Sequence, residues 1–426
     1  MLKETLGEKV KWAEIRSGYL WPKRFTMEQA AEYVFWICLG IIFYNYIGYG
    51  IVLLILAGIR RLFSMLRKTA ASPEGDDQVA LPEVTLVVAA YNEEDVIEKK
   101  IANCLSLDYP EDKLSFLFVT DGSSDRTPQI LFRYPMIRLL HKDERKGKTA
   151  ALNRAMAHVR TPVTVFCDAN TMLNRSAIKR MVSHYRSVRT GGVAGEKRVF
   201  SGNGHTTAGM GESLYWKYES TLKRLDAALY TVTGAAGELF SIRTSLWEDL
   251  PENVILDDFV ISTRINLKGY RIAYEPLAYA TELPSASMGD EKKRKVRISA
   301  GAFQAMKLVK GIFNFFKHPV LSFQFFSHRI LRWTLTPLSF PLLFIANILL
   351  VLCHPDIFFV IFLAMQSAFY LLSIVGISLK SDRKMLKISK ICHYIFFMNY
   401  SVYLGFVRFL KGRQSVIWEK TGRQLL

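Results

Sequence analysis

Three short stretches of this chain group side chains that could do chemistry together. Asp168-Ala169-Asn170 offers a carboxylate and an amide carbonyl two positions apart. Both are hard oxygen donors suited to Mg2+ or Mn2+, with a substrate phosphate completing the shell. Leu256-Asp257-Asp258 sets adjacent carboxylates where a helix begins, and its plain structural reading is negative charge at the helix's positive end. Lys292-Lys293-Arg294-Lys295-Val296-Arg297 packs five cations into six positions. Such a cluster suits a solvated face, a lipid-headgroup patch, a nucleic-acid patch or a site that holds a polyanion.

The elements that must position these residues show in the hydrophobic pattern. Val84–Ala90, Leu114–Thr120 and Val163–Cys167 read as short apolar strands, with helical stretches near Glu93–Leu105 and Lys148–Val159. This alternation predicts a mainly parallel sheet with helices on both faces. Ligands of such sheets bind beyond the carboxyl ends of the strands. Polar residues gather there: Tyr91, Asn92 and Glu93 after the first strand, Asp121 after the second, Asp168 and Asn170 after the third. An Asp-Gly followed by Ser123-Ser124-Asp125 is also an ordinary helix cap, and an Asp/Asn turn is common in any fold.

Half of the 426 residues are hydrophobic, and the net charge is +18. Tyr33–Ile59, Trp333–Pro355 and Ile357–Leu379 carry no charged residue, and each is long enough to cross a bilayer as a helix. The first begins too late and runs too long for a signal peptide. Ile391–Val407 is a borderline fourth stretch. Basic flanks such as Arg60, Arg61, Lys380 and Lys384 mark cytoplasmic sides. Membrane anchoring and a phosphate-bearing substrate account for the positive charge without nucleic acid. The five cysteines are scattered, without a metal-ligand spacing, and predict reduced thiols.

Taken together, AAYNEED, VTDGSSDRT, KGKTAALNRA and DAN resemble family 2 glycosyltransferases with the GT-A fold, in order and spacing across roughly Val84 to Arg297. More closely, the chain resembles membrane-embedded processive polysaccharide synthases of the cellulose, chitin, hyaluronan and poly-N-acetylglucosamine synthase type. The resemblance implies an inverting, metal-dependent hexosyltransferase that uses a nucleotide diphosphate sugar, a UDP-sugar by expectation. Tyr91, Asn92, Glu93 and Asp121 would then contact the nucleoside, and Lys148 would lie by the nucleotide. Asp168 would hold Mg2+ or Mn2+, with Asn170 in the place of the family's second Asp. Asp258 would be the base for the acceptor hydroxyl, in a variant of the family's TED motif. The Gly-rich segment before it, with Gly234, Gly237 and Glu238, would line the acceptor site beside Asp257.

The same resemblance sets the basic stretch on the family's QxxRW motif. Arg297 falls on the diphosphate-binding Arg, Arg294 on the Gln and Ile298 on the Trp that borders the acceptor sugar. Ser299-Ala300-Gly301 reads as a small-residue turn. Trp418, Thr421 and Arg423 resemble the segment that closes over the bound nucleotide.

These readings divide the chain into a tail (1–32), a transmembrane helix (33–59), a linker (60–82) and a cytosolic GT-A catalytic domain (83–297). Amphipathic interface helices (298–332), a transmembrane hairpin (333–379), a basic loop with an interfacial or re-entrant helix (380–410) and a gating-like tail (411–426) follow. The expected partners are the nucleotide diphosphate sugar, a growing glycan or a lipid-linked acceptor, membrane lipids and accessory secretion proteins, but no nucleic acid. A bacterial inner membrane is the expected location. Single transfer to a lipid-linked acceptor, and a non-catalytic membrane scaffold, stand as the alternatives.

Overall fold

A computed structural model describes residues 26–67, 80–200, 207–285, 287–378 and 384–412. The chain enters through α1 (Met27–Phe43), whose start is fixed by a reciprocal capping box between Thr26 and Gln29. A single π-helical turn, Tyr44–Gly48, joins it to α2 (Tyr49–Arg67). Together they form one apolar rod from Met27 to Met65, 39 residues long. At about 1.5 Å per residue that exceeds a bilayer core of about 30 Å, so the rod continues past it. Residues 60–67 are therefore helical where the sequence reads as a linker. Arg60 bonds the carbonyls of Ala228 and Leu229, which ties this end to the next domain.

The central domain is an eight-stranded sheet flanked by helices. In chain order it contains β1 (Val84–Ala90), α3 (Ile97–Leu105), β2 (Leu114–Asp121), α4 (Thr127–Phe132), β3 (Ile137–Lys142), α5 (Lys148–Met156) and β4 (Val163–Asp168). Then come β5 (Met172–Leu173), α6 (Ala177–Val182), β6 (Thr190–Val199), α7 (Thr207–Leu229), β7 (Phe240–Arg243), α8 (Asp257–Leu267) and β8 (Arg271–Glu282). The strand order is β3-β2-β1-β4-β7-β6-β8-β5. The strands β3, β2, β1 and β4 run parallel, β7 pairs antiparallel with both β4 and β6, β8 pairs parallel with β6, and β5 is antiparallel to β8. The sequence V-T-L-V-V-A-A explains why β1 is central. Every residue is buried, as a strand covered on both faces requires. One core, around Val87, Phe166 and Phe240, lies on one face, and a second, around Leu86, Phe118 and Ile178, lies on the other.

Beyond the sheet, α9 (Met288–Leu308) begins at the Ser287 cap, whose hydroxyl accepts from the Asp290 amide. It runs unbroken through Ser299-Ala300-Gly301, so the expected turn is helix and the boundary at 297 falls inside it. The small residues are there for packing. Gly301 lies against Ile255 and Leu256, and a side chain on Gly405 would collide with Ser299. After α10 (Pro319–Phe325) come the apolar α11 (Leu335–Cys353) and α12 (Ile357–Ser378), then α13 (Lys384–Leu410). Three helices, Met27–Met65, Leu335–Cys353 and Ile357–Gly376, are long and apolar enough to cross a membrane. The Phe-rich stretch between α9 and α11 divides its roles: Phe316 is fully exposed, whereas Phe325 is buried against Phe259 and Trp333.

Candidate active site

A cavity of about 1320 Å³ opens where β1 and β4 end, and α7, α8, α9 and α13 close its other sides. Tyr91, Glu93, Lys148, Asp168 and Asn170 line it, as do Gly237, Glu238, Asp257 and Asp258, and so do Arg294, Arg297 and Ile298. Residues spread over more than 200 positions of sequence thus meet in one space.

The strand-end loops are held by their own polar side chains. Asp121 is buried, and its carboxylate accepts from the Lys146 amide (3.1 and 3.2 Å) and the Gly147 amide (2.6 Å). Gly147 has φ 98°, a conformation that favours glycine, and it launches α5 with Lys148 as the first residue. Asp121 therefore fixes the turn that delivers Lys148. Asn92 adopts φ 53° and exchanges side-chain hydrogen bonds with the Ser124 hydroxyl (3.2 Å) and amide (2.8 Å). It clasps the β1 and β2 loops together and is not among the cavity-lining residues. Tyr91 does line the cavity, with the Arg145 guanidinium 3.7 Å above its ring.

Lys148 reaches Asp168 at 2.7 Å and lies 3.9 Å from Asp257. Burial opposes its charge, but Asp168, Asp257 and Asp258 more than reverse this and hold the ammonium protonated. Burial pushes the Asp168 carboxyl above its ordinary value, against the pull of Lys148. Asp258 is pushed up to about 7, first by burial and then by the neighbouring Asp257, with Lys148 opposing. One Asp258 oxygen accepts from the Phe259 amide (2.8 Å). Gly237 is pressed close to this group: an added Cβ would stand 3.4 Å from both the other Asp258 oxygen and the Lys148 Nζ. A carboxylate near neutrality, facing a cavity, is suited to accept a proton.

Asp168 and Asn170 present oxygens to the same cavity at the end of β4. Among the described residues no group of three or more His, Cys, Asp or Glu side chains is placed to hold a metal. A pair of hard donors beside a cavity fits Mg2+ or Mn2+, which complete their shells with water and phosphate oxygens.

Behind this lies a second layer of charge. Lys197 is fully buried and pairs with Glu238 (2.5 Å), Glu282 and Glu212 (3.8 Å). Arg294 bonds Glu212 (2.6 Å), Glu291 (3.4 Å) and Glu282 (3.7 Å). Arg294 and Glu238 thus meet the cavity only as edges of a buried network. Trp418, Thr421 and Arg423 lie outside the described residues. Sequence reasoning missed α7 as a wall. Its Trp216, Glu219, Lys223 and Asp226 recur at helical spacing, a polar face that the pattern could have revealed.

Residues 85–250 match the family model described as Glycosyl transferase family 2. That stretch is therefore similar to a family 2 glycosyltransferase domain. Over 231 residues the chain is 27% identical to poly-beta-1,6-N-acetyl-D-glucosamine synthase of Staphylococcus aureus strain MSSA476, a match covering 52% of this chain and 55% of that protein. The synthase of the same name from Staphylococcus epidermidis is 24% identical over the same length. The chain thus spans about half the length of the curated relatives it matches. Among solved structures, the mannosyltransferase PcManGT from Pyrobaculum calidifontis, in complex with GDP-Man and Mn2+, aligns with a TM-score of 0.63 at 20% identity, over 89% of this chain and 99% of that one. That likeness shows a shared GT-A-like fold. The sheet, its helices on both faces and the apolar helices expected from sequence are all present.

Proposed function

We propose that this protein is an inverting membrane glycosyltransferase that moves a hexose from a nucleotide diphosphate donor, a UDP-sugar, onto a growing polysaccharide. The observation that carries this reading is Asp258, near neutrality, across Gly237 from the Lys148–Asp168 pair in one cavity. In this arrangement the Asp258 carboxylate takes the proton of an acceptor hydroxyl. That oxygen bonds the anomeric carbon as the bond from carbon to the diphosphate oxygen breaks. Lys148 and Arg297 face the leaving diphosphate and offset its developing charge. A divalent ion on Asp168 and Asn170, when bound, adds positive charge at the same leaving group. Asp258 as a single base, together with the family resemblance, supports inversion. The names of the curated relatives support a polymeric product.

In this reading the catalytic domain faces the cytosol, where the donor is made, and the hairpin α11–α12 leaves the membrane and returns. Export of the product through the membrane segments, and accessory proteins for it, belong to the same proposal. The experiment is to purify the full chain in detergent, supply labelled nucleotide sugars one at a time with Mg2+ or Mn2+, and size the products. A ladder of long glycans is expected. Products of one added sugar only, on a lipid extract, would replace polymerisation with single transfer to a lipid-linked acceptor. No turnover of any nucleotide sugar would leave the scaffold reading.

A further inference from the structure

Lys223 has no role in the mechanism above, yet it is a wall of the same cavity. Its side chain projects from α7, and the residue is only 4% exposed. Among the described residues its ammonium has no hydrogen-bond or ion-pair partner; it lies over the Trp216 ring, 5.6 Å from the centroid. The carboxylates nearest in sequence and site are committed elsewhere. Glu219 accepts from Arg329 (2.8 Å) and Arg332 (2.8 Å) and meets His328 (3.3 Å). Glu238 is held by Lys197. Arg329, the other cation on this wall, is bound to Glu219 and to the Thr233 carbonyl (3.0 Å).

Glu219, Glu238 and Asp258 attract this ammonium from a distance without bonding it, and burial still outweighs them. A buried ammonium with no direct partner is costly, and sugar hydroxyls would not neutralise it. An oxyanion brought by a ligand would offset it. The donor diphosphate is already matched by Lys148, Arg297 and the metal pair, which lie on other elements. Lys223 lines the cavity from α7 beside Trp216, and it feels the charge of Asp258, the group to which the acceptor must present its hydroxyl. Burial lowers the Lys223 pKa, against the pull of Glu219, Glu238 and Asp258.

We propose that Lys223, beside the Trp216 ring, is an anion site for the acceptor, receiving a carboxylate or phosphate carried by the sugar next to the transfer point. This rests on the proposed function, because it takes the Asp258 side of the cavity as the acceptor side. It implies an acidic or phosphorylated glycan in place of a neutral one.

The test titrates the full chain, in nanodiscs with nucleoside diphosphate present, with three matched trisaccharides. Their terminal residue is glucose, glucuronate or glucose 6-phosphate, and tryptophan fluorescence reads binding. The wild-type chain is expected to bind at least one acidic trisaccharide about tenfold or more tightly than the neutral one. Lys223→Met should erase that preference and Lys223→Arg should keep it. Tighter binding of the glucuronate form assigns the carboxylate, and tighter binding of the phosphate form assigns a phosphorylated acceptor. Equal binding of all three by the wild-type chain, or an unchanged preference in Lys223→Met, overturns the inference. The wild-type comparison stands even if a variant fails to fold. Hydrolysis of nucleotide sugars in a separate assay reads the proposed function on its own. A chain that turns over donor but ignores acceptor charge fails only here.

Discussion

Two clusters of buried charge share the cavity and obey opposite balances. Around Arg294, three cations (Lys197, Arg294, Lys295) interleave with four carboxylates (Glu212, Glu238, Glu282, Glu291) at bonding distance. Burial alone would raise the carboxyl pKa values of Glu212, Glu238 and Glu291, but the cations reverse it, and Glu291 falls to about 2. Around Asp258, three carboxylates (Asp168, Asp257, Asp258) face one close cation, Lys148, and Asp258 rises to about 7. The residue type is nearly the same, and the depth of burial is similar. What differs is the ratio: three cations shared among four carboxylates in one cluster, one close cation for three carboxylates in the other. The saturated cluster is a strut: its charges are spent on one another and can do nothing else. The unsaturated cluster keeps a proton in play and has room for positive charge from a ligand.

The contrast can be broken most forcefully at Asp258. Asp258→Asn is expected to lower transfer by ~10²–10⁴-fold while nucleotide binding persists, checked by labelled-sugar turnover and calorimetric titration. Full activity in that variant would remove Asp258 from the base role. In the saturated cluster the damage should fall on the fold. Arg294→Met leaves Glu212, Glu282 and Glu291 short of a partner, and it should cost about 3–5 kcal/mol of stability by denaturant unfolding. Adding Glu212→Gln should recover part of the loss, because one uncompensated charge goes with it.

A smaller effect sharpens the comparison through pH. The folded Asp258 carboxyl titrates near 7 against an ordinary 3.8. The reactive form is the ionised one, so kcat/KM should climb about tenfold per pH unit up to about 7 and flatten above. For stability the sign runs the other way. The native state holds this proton longer than the unfolded chain, so the group destabilises the fold progressively from about pH 4 to about 7. Asp258→Asn should therefore melt higher than wild type at pH 8, and a lower melting temperature would contradict the charge crowding. The smallest change concerns Ile298, which lines the cavity and is 37% exposed. Ile298→Trp supplies a stacking face and should lengthen the products by gel sizing, with little change in donor hydrolysis.

The unsaturated cluster was far more legible in the sequence than the saturated one. Asp121, Asp168 and Asp257-Asp258 stand at the ends of strands or the start of a helix, where local pattern and site coincide. Lys197, Glu212, Glu282 and Arg294 meet only through the fold, over nearly 100 positions, and nothing local marks them as partners. Asn92 and Asp121 entered through the resemblance as nucleoside contacts; their loop-holding hydrogen bonds to Ser124 and to the Lys146-Gly147 amides were not legible, because those bonds exist only once the loops close. Ser299-Ala300-Gly301 looked like a turn because small residues also break helices. The close approach of α13 at Gly405 is a long-range fact. The apolar helices were the easiest of all to read, because a run without charge needs no partner to be recognised.

One junction bears on how the molecule is made. Tyr49, just past the π-helical turn of the first apolar rod, donates to Asp226 (2.5 Å) inside the protein, and Asp226 also meets His328 (2.6 Å) and the Gln324 amide (3.1 Å). All four residues are fully buried. They come from the first apolar rod, from α7 of the sheet domain and from the stretch before the α11–α12 hairpin, so none of these regions can complete its interior alone. During biogenesis the rod that carries Tyr49 must wait for polar partners synthesised much later. A severed catalytic domain would inherit a polar socket with nothing to fill it, and a cell's quality-control proteases would meet it as an unfinished protein.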